Sequence, residues 1–154
     1  MNTRTAEKAL HDPLTTDTQI EDRALRVIGT AARRQLWLMM LDDLHNHVPI
    51  VIPLDDLPPV PDRTETDVLV SRLAGILDIA DASQLILVWE RPGRGRLAEP
   101  DTVWARALAE NCLRRGVRLR AQLLSHTRGV TLLSPADYGA VTPTAASSAV
   151  ETGC

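Results

Sequence analysis

Three groups of residues in this chain have types and spacings that could do chemistry. The first is His45-Asn46-His47, with Asp42, Asp43 and Asp55 close by. On an extended chain, side chains two residues apart share a face, so both imidazoles could grip one metal ion while a carboxylate adds an oxygen ligand. The same stretch also reads as a hairpin turn between apolar runs, with Asn46 suited to a positive φ. We therefore read His45 and His47 as solvated turn histidines, with a metal-dependent hydrolase as the alternative.

The second group follows Trp89. In Glu90-Arg-Pro-Gly-Arg-Gly-Arg96, the guanidiniums of Arg91, Arg94 and Arg96 and the amides of a glycine-rich loop stand ahead of a helix opening near Asp101. Such a loop could hold a phosphate or a carboxylate. It matches neither a Walker A motif nor a dinucleotide fingerprint, because no Gly-Lys-Ser/Thr follows and the glycines are mis-spaced. The third group is Ser125-His126, a nominal nucleophile and base. Neighbours in sequence rarely face one another and no orienting acid is evident, so a hairpin turn is the reading.

These residues need elements to position them. Apolar side chains recur at helical spacing from Ile20 to Arg34, and Leu36-Trp-Leu-Met-Met-Leu41 is apolar on both faces, as in a strand covered on both sides. Pro49 to Leu54 is strand-like, and Pro53, which cannot donate to a ladder, puts the strand at an edge or ends it there. After a stiff connector with Pro58, Pro59 and Pro61, Thr64 offers a helix cap, and Leu69, Leu73, Ile76, Leu77 and Ala80 share a face. Gln84 to Trp89 is a buried strand, and a helix follows from Asp101 to Arg115 with Gly116 at its C-cap. Val117, Leu119, Ala121 and Leu123 alternate with Arg118, Arg120 and Gln122, which predicts a strand with one polar face. A turn over Ser125–Gly129 leads to Val130–Leu133.

The order α-β-β-α-β-α-β-β predicts an α/β (α+β) fold: a single domain with a mixed β-sheet and helices packed on it. Residues 1–18 read as a flexible N-terminal arm, 19–138 as the domain, and 139–154 as a disordered C-terminal tail. At 154 residues the chain suits one core, and with no Phe that core must be aliphatic. No apolar run approaches the ~20 residues of a membrane span, and the N-terminus lacks a signal-peptide pattern, so the expected location is cytoplasmic. Cys112 lies on a helical apolar stripe and reads as an inert buried thiol, Cys154 as a mobile surface one.

Net charge is −3, against a general nucleic-acid binder, although the charge is uneven along the chain. Residues 84–130 hold 9 basic and 4 acidic side chains, while residues 1–83 hold 8 and 14. Arg114, Arg115, Arg118 and Arg120 could form a ridge for nucleic acid. With no interleaved aromatic residue, pairing with acids of the N-terminal half is the preferred reading.

From Ile20 to Tyr138 the element order, together with Trp89-Glu-Arg-Pro-Gly93, resembles the RadC-type branch of the JAB/MPN metalloprotease-like fold. Pro92 is the clearest match to that family's His-x-His-Pro-x-Gly loop. The resemblance would place the two metal-binding histidines on Trp89 and Arg91, the Ser-x-x-Asp motif loosely on Glu99 through Thr102, and the catalytic Glu near Asp55 or Asp56. Neither Trp nor Arg ligates zinc, and Asp101 alone cannot hold it. The resemblance thus implies the fold without the chemistry: a non-catalytic protein-interaction or regulatory module with no cofactor and an unknown protein partner. Its expected binding surface is Trp89, Glu90, Arg91, Arg94, Arg96 and Asp101. A weak nucleic-acid binder using the Arg-rich 91–120 segment is a further alternative.

Overall fold

Two stretches are apolar at nearly every position, and they form the centre of the sheet. The computed structural model describes residues 13–54 and 57–139. In chain order the elements are helix α1 (Asp17–Val27), strands β1 (Gln35–Leu41) and β2 (Ile52–Leu54), helix α2 (Arg63–Ile79), strand β3 (Gln84–Glu90), helix α3 (Asp101–Arg115), strands β4 (Leu119–His126) and β5 (Gly129–Leu133), and a short 3-10 turn, Pro135–Tyr138. The sheet order is β2-β1-β3-β4-β5. The β3–β4 pair is parallel and the other pairs are antiparallel. This is the mixed sheet that the pattern of elements predicts.

All seven residues of β3 are buried because both faces of the strand are covered. On one face Leu36, Leu38, Met40, Leu85, Leu87 and Trp89 pack against α2 and α3, through Val70, Leu73, Leu77, Trp104 and Leu108. On the other face Met39, Leu41, Ile86, Val88 and Leu123 meet α1 through Ile20 and Ala24. Among the described residues, no helix is long and apolar enough to cross a membrane.

Several boundaries differ from the sequence expectation, each for a local reason. Of the expected arm, residues 1–12 lie outside the described residues, whereas Leu14 is buried and its N–H donates to the His45 carbonyl at 2.7 Å. Helix α1 opens earlier than expected, on a Thr16–Gln19 capping box, and ends at Val27, well short of Arg34. Gly29 has φ +85°, and the amides of Ala32 and Arg33 donate to Glu90 instead of continuing the helix. Asp62, not Thr64, caps α2 by accepting from the Glu65 N–H at 2.7 Å. Strand β2 is only three residues long and lies at a sheet edge, as Pro53 requires.

Strand β4 departs most from expectation. Leu85 pairs with Leu119 but Ile86 pairs with Ala121, so Arg120 is an extra residue at a bulge. Leu119 therefore packs on the α2/α3 side while Ala121 and Leu123 pack on the α1 side. Gln122, read as solvent-facing, is buried. The β4–β5 hairpin has the two-residue turn Thr127–Arg128, so Ser125 and His126 belong to the strand rather than to the turn. Of the expected tail, residues 140–154 lie outside the described residues.

Candidate functional site: a cleft at the carboxyl end of the central strand

Where a parallel strand pair ends and the connecting helix begins, the chain leaves a crevice that α/β proteins commonly use. Here it is a cleft of about 540 Å³. The end of β3 supplies its floor with Trp89 and Arg91, and the first turn of α3 adds Asp101 and Trp104. The segment entering β1 provides Arg34, Gln35 and Leu36, and Leu54, Leu57, Pro58 and Pro59 form the opposite wall. That wall is fixed because the Trp104 indole donates to the Pro58 carbonyl at 2.7 Å.

The polar groups in the floor are bound to one another. Arg91 grips Asp101 with both edges of its fork, Nε to Oδ2 at 2.7 Å and Nη2 to Oδ1 at 3.1 Å. Its Nη1 donates to the carbonyls of Gln35 and Glu90 at 3.1 and 2.8 Å. Four of the five guanidinium donors are thereby used. The guanidinium carbon lies 5.2 Å from the centre of the Trp89 ring, a cation–π contact. Beneath it the Trp89 indole donates to Gln122 Oε1 at 2.8 Å, and Gln122 Nε2 donates to the Ala105 carbonyl at 2.9 Å. Arg34 reaches both Asp101 oxygens at 3.4 Å from the solvent side, with its own side chain 64% exposed.

Of the residues expected to form a binding surface, Trp89, Arg91 and Asp101 converge in the cleft. Glu90 does not. Its side chain accepts from the Ala32 and Arg33 amides at 2.8 and 3.2 Å and from the Trp37 indole at 2.8 Å. Burial alone would raise its pKa, but these three donors and the Arg33 charge outweigh that and hold it below the usual value. Glu90 thus fastens the α1–β1 connection to the sheet. Arg94 and Arg96 are exposed and lie outside the cleft lining. Their loop closes on the β4–β5 turn, with the Gly93 amide donating to Thr127 Oγ1 at 2.8 Å and the Thr127 amide to the Gly93 carbonyl at 3.2 Å. A side chain at Gly95 would stand 3.2 Å from the His126 ring, so glycine permits this approach.

The other candidate groups separate. His45, rather than Asn46, takes the positive φ, at 65°. Its Nδ1 meets Gln84 Nε2 at 3.1 Å, whereas His47 Nδ1 meets Arg23 Nη1 at 3.2 Å. Both rings are partly buried and hydrogen-bonded, and His45 closes a turn by donating its N–H to the Asp42 carbonyl at 3.0 Å. Burial first, and the Arg23 charge second, lower the His47 pKa to about 4. Asp55, offered as an oxygen ligand, and Asp56 lie outside the described residues. Among the described residues, no group of three or more His, Cys, Asp or Glu side chains is placed to share a metal ion. Ser125 donates to the Gly29 carbonyl at 2.7 Å, while His126 Nε2 pairs with Thr131 Oγ1 at 3.0 Å, so serine and histidine have separate partners. Burial raises the Cys112 thiol to about 11, which leaves it unreactive.

The basic segment is likewise dispersed. Arg120 pairs with Asp17 at 2.9 Å, and Arg114 and Arg115 approach Asp67 at 4.0 and 3.9 Å. Sequence reasoning missed Arg34, which it placed inside a helix, and Gln122, which it placed in solvent. No local pattern marks either one, since each acquires its role from residues more than 15 positions away. The chain matches no protein-family model and no curated protein.

Proposed function

We propose that this protein is a non-catalytic binding domain of JAB-like architecture, and that it engages a protein partner through the cleft and the adjoining Arg94–Arg96 loop. One observation carries the reading: Arg91 holds Asp101 bidentately over Trp89. By the resemblance, Trp89, Arg91 and Asp101 fall where a metalloprotease of this type would place metal ligands. In this chain the guanidinium supplies the positive charge that the carboxylate needs. Both groups are then committed to structure, and a carboxylate paired this closely is a poor general base. What remains accessible is a surface with a proline wall, one exposed arginine, Arg34, and a flanking cationic loop. That inventory suits recognition.

A photo-crosslinking side chain at Pro59 or Arg94, in the full chain in its native cells, tests this. A discrete adduct is expected from either position and none from Ile79, which is 90% exposed elsewhere on the surface. Adducts equally strong from Ile79, or none from Pro59 and Arg94, would overturn the proposal. Arg91→Ala should abolish the adducts and also destabilise the fold by about 3 kcal/mol, because it removes one partner of a nearly buried ion pair.

A further inference from the structure

Charge, wall chemistry and shape together specify an occupant for the cleft. We infer that it takes an extended segment of a partner protein in which a single acidic residue is flanked by apolar ones. The inference rests on the binding reading above and names the chemistry of its ligand.

Two guanidiniums, Arg34 and Arg91, face one carboxylate, Asp101, and among the described residues no other acid lines the cleft. Arg91 uses the carboxylate in close bidentate geometry, whereas Arg34 stands off at 3.4 Å from both oxygens, beyond the ~2.8 Å usual for a charge-assisted bond. Arg34 is therefore the cation free to turn toward an incoming carboxylate, beside low-dielectric walls that strengthen the pairing. The wall of Leu54, Leu57, Pro58 and Pro59 would cover apolar side chains of the same segment, and the prolines lose little entropy on binding.

Shape favours a chain over a compact small molecule. A second cavity of about 360 Å³ adjoins the cleft and shares Pro59 and Pro100 with it. It is walled by Val60, Pro61 and Val103, with Val60 71% exposed, so apolar surface extends past the shared prolines. Glu99 stands at this second cavity and would repel an acid there. The pattern is thus one acid over Arg34, then apolar residues along the proline shelf. Nucleic acid fits less well, because Trp89 and Trp104 are buried and provide no stacking platform.

Selection of displayed random short peptides against the full chain tests the inference, with affinities of the selected peptides read by fluorescence anisotropy. Expected is enrichment of peptides with one Asp or Glu beside apolar residues. Arg34→Gln should weaken the best of these about tenfold or more, and Arg34→Glu should shift selection toward Lys or Arg at the acidic position. Melting curves confirm that both variants fold. Selected peptides without an acid, or an unchanged preference in Arg34→Glu, would overturn the ligand chemistry while leaving the binding reading intact if crosslinks form at Pro59. A single-stranded oligonucleotide that binds as tightly as the best peptide would also overturn it. Failure of both selection and crosslinking would remove the two readings together.

Discussion

His47 shows how a residue with familiar chemistry acquires a different role from its surroundings. Arg23 donates to Nδ1, which puts the ring proton on Nε2, and that atom has no partner among the described residues. Burial first and the Arg23 charge second disfavour the imidazolium, and the His47 pKa falls from 6.5 to about 4. Above the unfolded value both states are neutral and the full stability is present. As pH falls toward about 4, the unfolded chain takes up a proton that the fold refuses, and stability declines. Between about pH 7.5 and pH 5 the loss should be on the order of 1 kcal/mol, after allowing for solvent screening of a half-buried group. Urea midpoints at the two pH values measure it, and His47→Gln should remove most of the difference. An unchanged slope in that variant would assign the pH dependence elsewhere.

At the scale of elements, the ends of helices and the bulge in β4 decide where side chains point. Gly116 ends α3 at φ 71°, and a Cβ there would meet nothing within 4 Å. Gly116→Ala should therefore incur only the left-handed backbone penalty, about 1 kcal/mol, and Gly116→Asn clearly less. Thermal melts of the two variants check this, and equal losses would point to a packing role that the open space does not support. The bulge at Arg120 has a larger consequence. It turns Gln122 inward, where the amide bridges Trp89 to the Ala105 carbonyl and so joins the cleft floor to α3. An apolar-polar alternation assigns Gln122 to solvent, but both faces of β4 are covered from Gln122 to Ser125, and the bulge decides which face each side chain takes.

For the whole molecule, the decisive feature is a sheet shared by two cores. Among the described residues one helix covers the α1 side, so one charge there should be felt everywhere. Ala24 is fully buried against the sheet, whereas Leu25 on the same helix is 44% exposed. Ala24→Asp should cost more than about 4 kcal/mol, enough to lose cooperative unfolding by circular dichroism, while Leu25→Asp should stay within about 0.5 kcal/mol of the parent. Comparable behaviour of the two would mean that α1 does not contribute to the global fold. The uneven charge along the sequence also resolves at this scale. The Arg120–Asp17 pair joins β4 to α1, and Asp67 on α2 draws Arg114 and Arg115 of α3. Three arginines of the basic segment are therefore balanced by acids of the N-terminal half.

The sequence by itself determined the order of elements, the central pair of strands, the edge position of β2, the Gly116 cap and the inward role of Cys112. Each follows from periodicity, proline or glycine acting over a few neighbouring residues. Half of the candidate site was legible too: Trp89, Arg91 and Asp101 stand out as a strand end, a loop and a helix start, and they do meet. Only the tertiary structure decided which polar groups face one another. Glu90 turned to the opposite face to hold Ala32, Arg33 and Trp37, His45 and His47 found separate partners, and Arg34 arrived at Asp101 from 67 residues away. Such pairings depend on register, bulges and the ends of helices, and these are fixed by packing across the sheet rather than by local pattern.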